Sequence, residues 1–294
     1  MTPCYQLVTI SNRYIQAKIS THGAELCSLV HNGFEYIWQA DPKYWGRHAP
    51  ILFPIVGKVY NNEYRVGDKK YTLPQHGFAR DKKFQLLNAT DTEATFMLQS
   101  DDETLKVYPY KFELIVTYTL QAKQLNASYI VSNTDDKKIY FQIGGHPAFN
   151  YPNWPFQRGY LQLLKNGDPL SEIKVRHPNV EGYITKNIQH IELPNGFLSL
   201  RDDILDNGAL VLENNQCDEI SMVKGNGQKH LTVRSDAKLF GIWSPERKSA
   251  PFVCLEPWMG RADADDYHGA FVNRKYINEV EVGQKFKFEY SVII

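Results

Sequence analysis

The chain of 294 residues is 43% hydrophobic and 22% charged, a balance typical of folded globular proteins that excludes disordered, collagen-like and membrane-spanning classes. Lysine plus arginine total 33 and aspartate plus glutamate total 33, so no net field draws nucleic acid, an anionic membrane or a polyacidic partner, and a small-molecule partner is expected. No run approaches the roughly 18 apolar residues of a membrane helix, and no basic segment followed by an apolar stretch opens the chain. A cytoplasmic protein is expected. Cys4, Cys27, Cys217 and Cys254 lie far apart without a C-x-x-C pair, which fits a reduced interior and writes neither a zinc knuckle nor a redox motif.

Period-two alternation predicts strands at residues 95–99, 112–120, 125–131, 139–143, 231–234 and 286–294. The clearest case puts Phe112, Leu114, Val116, Tyr118 and Leu120 on one face. After a polar turn, Leu125, Ala127, Tyr129 and Val131 repeat the pattern as an antiparallel neighbour. No capped segment of helical period is long enough for a long helix. Many short alternating segments, rich in tyrosine and phenylalanine, predict an all-β chain: a large antiparallel sandwich or barrel. Repeats and Ser/Gly linkers are missing, so residues 1–294 read as one domain, with residues 41–80 and 150–193 as long connections of the kind that line sites.

Four segments carry candidate chemistry. Arg47 precedes the apolar run Ile51-Leu52-Phe53-Pro54 and reads most simply as a surface arginine. His76 and Arg80 stand four apart in a loop. His146 follows two glycines and precedes a proline, which fix the direction of its ring whether it is a turn histidine or a functional one. Glu256 ends an apolar strand before Pro257 and Trp258, where a carboxylate is either salt-bridged structure or a tuned base. The tryptophans read as core rather than ligand platforms. The acidic stretch 263–266 lacks the glycine and distal glutamate of a calcium loop and reads as a solvated turn. No serine-hydrolase elbow, phosphate loop, dinucleotide fingerprint or zinc-protease motif is present.

In this order, Ala-Pro-Ile-Leu-Phe-Pro-Ile-Val-Gly, Leu-Pro-Gln-His-Gly-Phe-Ala-Arg, Gly-Gly-His-Pro-Ala-Phe and Leu-Glu-Pro-Trp resemble the aldose 1-epimerases, or galactose mutarotases, and most closely their LacX-like branch. The resemblance runs from about Gly23 to the C-terminus. It implies a galactose-mutarotase type of antiparallel β-sandwich, no metal and no organic cofactor, and a hexose substrate, free or phosphorylated. Oligomeric state stays open. The resemblance makes Glu256 the general base, His146 the general acid and His76 a second active-site histidine. It likens Arg47 and Arg80 to arginines of relatives that act on hexose 6-phosphates. Where the galactose-specific branch has Gly-Arg-x-x-Asn-Arg, this chain has Gly57-Lys58-Val59-Tyr60-Asn61-Asn62. The family's sugar-binding aspartate aligns with Gly208, so Asp206 is the candidate substitute. The expected activity is aldose 1-epimerase, the alternatives being a hexose-6-phosphate 1-epimerase or a non-catalytic carbohydrate sensor. An imidazolium beside a carboxylate is expected to be electrostatically favoured.

Overall fold

Alternation at residues 112–120 arises because one face of a strand meets the core and the other does not. In the computed structural model, which describes residues 6–152, 159–201 and 203–294, this segment is the strand Phe112–Gln121 with its five apolar even positions buried. Cys4 and Trp154 lie outside the described residues. The chain turns at Ala122 and Lys123 into the antiparallel strand Gln124–Asn133, placing Leu114 opposite Val131 and Val116 opposite Tyr129. Lys285–Ile293 pairs with the far edge of Gln124–Asn133, and Glu93–Gln99 with Phe112–Gln121. With Lys229–Ser235 and shorter strands they form a ten-stranded antiparallel sheet.

The second sheet has eight strands, and Phe252–Met259 is its spine, flanked by Leu239–Trp243 on one side and by Ile143–Gly145 and Ala148–Asn150 on the other. Val253 and Leu255 join the core cluster that holds Leu114 and Val116, so the two sheets stack as a sandwich. Gly145 permits their close approach, since a Cβ there would lie 2.9 Å from the Tyr290 ring. Phe252, Cys254, Glu256 and Trp258 occupy the alternate face, where small separate clusters cover all but Glu256.

Several expectations change. Residues 139–143 form two strands in different sheets, Ile139–Phe141 against Asn278–Val280 and Ile143–Gly145 against Phe252–Met259. The switch is Gln142, whose buried amide accepts from Val56 N and Arg274 Nη1 and donates to the Lys275 carbonyl in place of a continuous ladder. The 150–193 connection holds strands of both sheets, Tyr160–Lys165, whose apolar run hides its period, and Glu172–Arg176, whose alternation is legible although the sequence reading places it in a loop. Residues 41–80 hold Ile51–Leu52, Glu63–Val66 and Lys69–Thr72. Asp263 is no solvated turn residue: it is buried, with Oδ1 2.6 Å from Arg274 Nε and Oδ2 accepting from Tyr60 N. Residue type alone could not show that distant arginine. Among the described residues the one α-helix, Asp102–Val107, is short and closed by a capping box from Asp101 and Thr104. No helix is long and apolar enough to cross a membrane.

The loop before Ile51–Leu52 is tied down by one buried carboxylate. Glu25 Oε1 accepts from His48 N at 2.8 Å and Ala49 N at 2.9 Å, and its Oε2 lies 3.9 Å from His48 Nδ1. Burial acts to raise the Glu25 carboxyl, yet His48 and the two amides outweigh it and hold it below the ordinary value. Burial acts to depress His48, but Cys27 and Glu25 raise it to about 10. A lowered carboxyl stabilises above its ordinary range of about 4.3 and loses that contribution as pH falls further; a raised histidine stabilises below about 6.5 and loses its contribution as pH climbs toward its folded value. Glu25→Gln is expected to cost about 1.5–3 kcal/mol between those limits and to flatten both limbs of the melting temperature against pH, measured by calorimetry. An unchanged profile would exclude this clamp.

Candidate active site

The singled-out residues converge on the outward face of Phe252–Met259. Gly241 stands opposite Glu256, and Gly144 opposite Trp258. A Cβ on either glycine would lie 2.6 Å from the Trp258 ring, so the indole occupies the space that both leave. Beside it Glu256 is sunk to 1% exposure. His146 follows Ile143–Gly145, and its N–H donates to the Pro50 carbonyl at 3.1 Å, extending the ladder that pairs Gly145 with Ile51. Its Nε2 lies 3.2 Å from Glu256 Oε2. Trp45 stacks on the imidazole at 4.8 Å between centroids, and Trp243 and His76 meet it edge-on, each at 5.6 Å.

His76 is held in the left-handed region, φ 66°, a conformation that costs a non-glycine residue about 1–3 kcal/mol and persists only where its surroundings fix it. Its N–H donates to the Gly57 carbonyl, and the Gly57 N–H donates back to His76 Nδ1 at 3.1 Å. Gly57 itself has φ 68°, and a Cβ there would lie 2.5 Å from that of Ala262. Arg47 and Arg80 meet at Asp81: Arg47 Nη2 is 2.8 Å from Oδ1 and Arg80 Nε 3.8 Å from Oδ2. Arg80 also donates to the Gln75 carbonyl.

A model of the aldose 1-epimerase family matches residues 6–264 of this chain. The chain belongs to the aldose 1-epimerase family. The chromosomal LacX protein of Lactococcus lactis subsp. lactis is 30% identical to it over 98% of this chain and 99% of its own length. A galactose mutarotase related enzyme from Lactobacillus acidophilus superposes with a TM-score of 0.90 at 36% identity, covering 98% of this chain and 97% of the other. A galactose mutarotase-like protein from Lactobacillus casei does so at 0.90 and 32%, covering 98% and 99%. The sandwich is thus of the galactose-mutarotase type, and the protein is an isomerase that acts on carbohydrates.

The electrostatics of this epimerase-family site depart from the expectation of an imidazolium. Burial pushes the Glu256 carboxyl well above its ordinary value, while the Trp258 indole pulls the other way. Burial also depresses His146, and Arg80 and Arg47 add to that. In both groups burial is the largest influence and it disfavours the charged form, so it favours carboxylic acid beside neutral imidazole. Carboxylic acid with neutral imidazole, and carboxylate with imidazolium, hold the same single proton. The pair is net neutral in both and differs only in where the proton sits.

The geometry gathers His76, His146, Glu256, Arg47 and Arg80. Asp206 is half-buried and accepts from Arg247 N at 3.1 Å. The adjoining Glu246 accepts from the Trp243 indole. Lys58 turns away, donating to the Glu181 carbonyl. Sequence reading missed Trp45, Trp243 and Asp81. Cys254 and Trp258 were passed over too, although two-residue spacing along an apolar strand sets both on the face of Glu256, whereas no local pattern separates Trp45 or Trp243 from core tryptophans.

Because a backbone N–H donates to Nδ1, a neutral His76 carries its proton on Nε2, which lies 3.3 Å from the side-chain amide of Gln75 and donates to that amide when its oxygen is turned inward. Burial, with His146 and the arginines, keeps the ring neutral. Nitrogen-15 NMR of labelled histidine at pH 7 should show His76 as the neutral Nε2–H tautomer. A ring protonated on Nδ1 would exclude the Gly57 contact.

Proposed function

We propose that the enzyme is an aldose 1-epimerase that interconverts the α and β anomers of an aldohexose, with His146 and Glu256 as its acid/base pair. The observation that carries this reading is the 3.2 Å approach of two buried titratable groups from separate segments of the chain. Opening a hemiacetal removes a proton from the C1 hydroxyl and delivers one to the ring oxygen. A pair sharing one proton does both: whichever member is bare accepts, and the other donates. The open aldehyde rotates about C1–C2, and ring closure runs the transfers in reverse. With the proton on Glu256 the carboxyl donates to the ring oxygen and His146 accepts from the C1 hydroxyl; with the proton on His146 the roles exchange, and the microstate that opens the ring is the one whose protonated member faces the ring oxygen. His76 Nε2–H is a donor for a sugar oxygen, and the Trp45 face is an apolar surface for the C–H side of a pyranose.

A specific observation favours a phosphorylated hexose as substrate. Arg47 and Arg80 share the single carboxylate of Asp81, and Arg80 Nε is buried without a hydrogen bond. Burial and Arg47 together bring Arg80 down to about 10. A bound phosphate would relieve that repulsion.

Polarimetry of freshly dissolved glucose, galactose and glucose 6-phosphate tests both readings. Glu256→Gln and His146→Asn should each lower kcat by about 10² to 10⁴ while the protein stays folded. Full turnover in either variant removes that residue from the chemistry. Arg80→Ala should raise KM for glucose 6-phosphate by at least about tenfold and leave the unphosphorylated sugars nearly unchanged. Equal effects on all three would exclude a phosphate site. Sugar binding by calorimetry without faster anomer exchange would mark a sensor.

A further inference from the structure

The outward face of Phe252–Met259 carries a thiol that proton transfer does not use. Cys254 stands two residues before Glu256 on the same face, opposite Ala148 and Trp243, and is fully buried. One coordinating atom from each of His146, Cys254 and Glu256 lies within 4.8 Å of the other two. His146 Nε2 and Glu256 Oε2 are only 3.2 Å apart, yet Glu256 Oε2 has no hydrogen-bond partner. At that distance an aligned N–H would donate to it, so the two atoms face a common space rather than each other. Ligands bound at about 2.0–2.3 Å to a tetrahedral zinc ion are themselves about 3.3–3.8 Å apart. The histidine and carboxylate already stand near that separation, and the thiol belongs to the same cluster of atoms within 4.8 Å of one another.

We propose that His146 Nε2, Cys254 Sγ and Glu256 Oε2 form a three-ligand site for a soft divalent cation of the zinc class, and that this cation excludes the sugar. A thiolate and a carboxylate balance a doubly charged ion, so the assembly is neutral in a place where a net charge would be costly. Binding releases the thiol proton, together with that of Glu256 when the carboxyl holds it. The imidazole keeps 9% of its side-chain surface exposed and gives the ion its approach. A second cluster of ligand types, Glu25, Cys27 and His48, is committed to structure, because two backbone amides already occupy Glu25 Oε1. Cation binding does not depend on epimerase activity; only the exclusion of sugar rests on the acid/base reading.

Cobalt(II) titration of the full chain tests the site. One cobalt per chain should bind with a thiolate-to-metal charge-transfer band, zinc should displace it, and Cys254→Ser should lose the band. Zinc should inhibit anomer exchange by the wild type, whereas Cys254→Ser should keep wild-type exchange and escape inhibition. Should Cys254→Ser prove unstable, Glu256→Gln supplies the second variant and should weaken cobalt binding. Absence of a thiolate band in the wild type overturns the proposal. So does a band that persists in Cys254→Ser, which would place the ion at Glu25, Cys27 and His48. A wild type inert toward every sugar would end the acid/base reading and leave the cobalt result standing.

Discussion

The burial of a carboxylate directly against an imidazole is the constraint around which this structure is arranged. Glu256 and His146 cannot both be ionised cheaply where water is excluded, nor can either leave, because each is set by a strand ladder. Sharing one proton resolves the conflict. The pair stays neutral whichever partner holds it, and a sugar bound in the space that both face can take the proton from one and return one to the other. The proposed chemistry asks for the same property, since opening a sugar ring takes up one proton as it releases another.

The two sheets divide the task. The ten-stranded sheet, through Leu114, Val116 and Tyr290, gives a rigid apolar backing; the smaller sheet turns its inner face to that backing and its outer face to the site. Small residues make the arrangement possible. Gly144 and Gly241 admit the Trp258 indole beside Glu256, and Gly145 lets the sheets close behind His146. Around this frame, loops bring the remaining groups: Glu25 fixes the segment that bears Arg47, and Gly57 fixes the ring of His76. The strained backbone of His76 is sustained by those contacts.

Much of the scaffold was legible in the residues. Long strands with one buried face announce themselves by alternation, as at Phe112–Gln121 and Gln124–Asn133, because pleating turns burial into a period of two. Short strands such as Tyr160–Lys165 are decided by pairing partners distant in sequence, and the change of sheet at Gln142 depends on Arg274, over a hundred residues away. Glycine and proline beside His146, and apolar neighbours around Glu256, marked those two positions. Their protonation was not legible, because it follows from depth of burial rather than from spacing. The partner of Asp206, the backbone N–H of Arg247, was equally illegible, because it comes from a turn 41 residues further along the chain.

A double-variant comparison tests most directly whether the histidine and the carboxylate work as one unit. Anomer exchange of the best sugar is followed by NMR for His146→Asn, Glu256→Gln and the combined variant. If one shared proton is the working element, losing either partner already removes it, and the combined variant should exchange no more slowly than the slower single one. Losses that multiply in the combined variant would show two independent contributions and contradict the shared-proton pair.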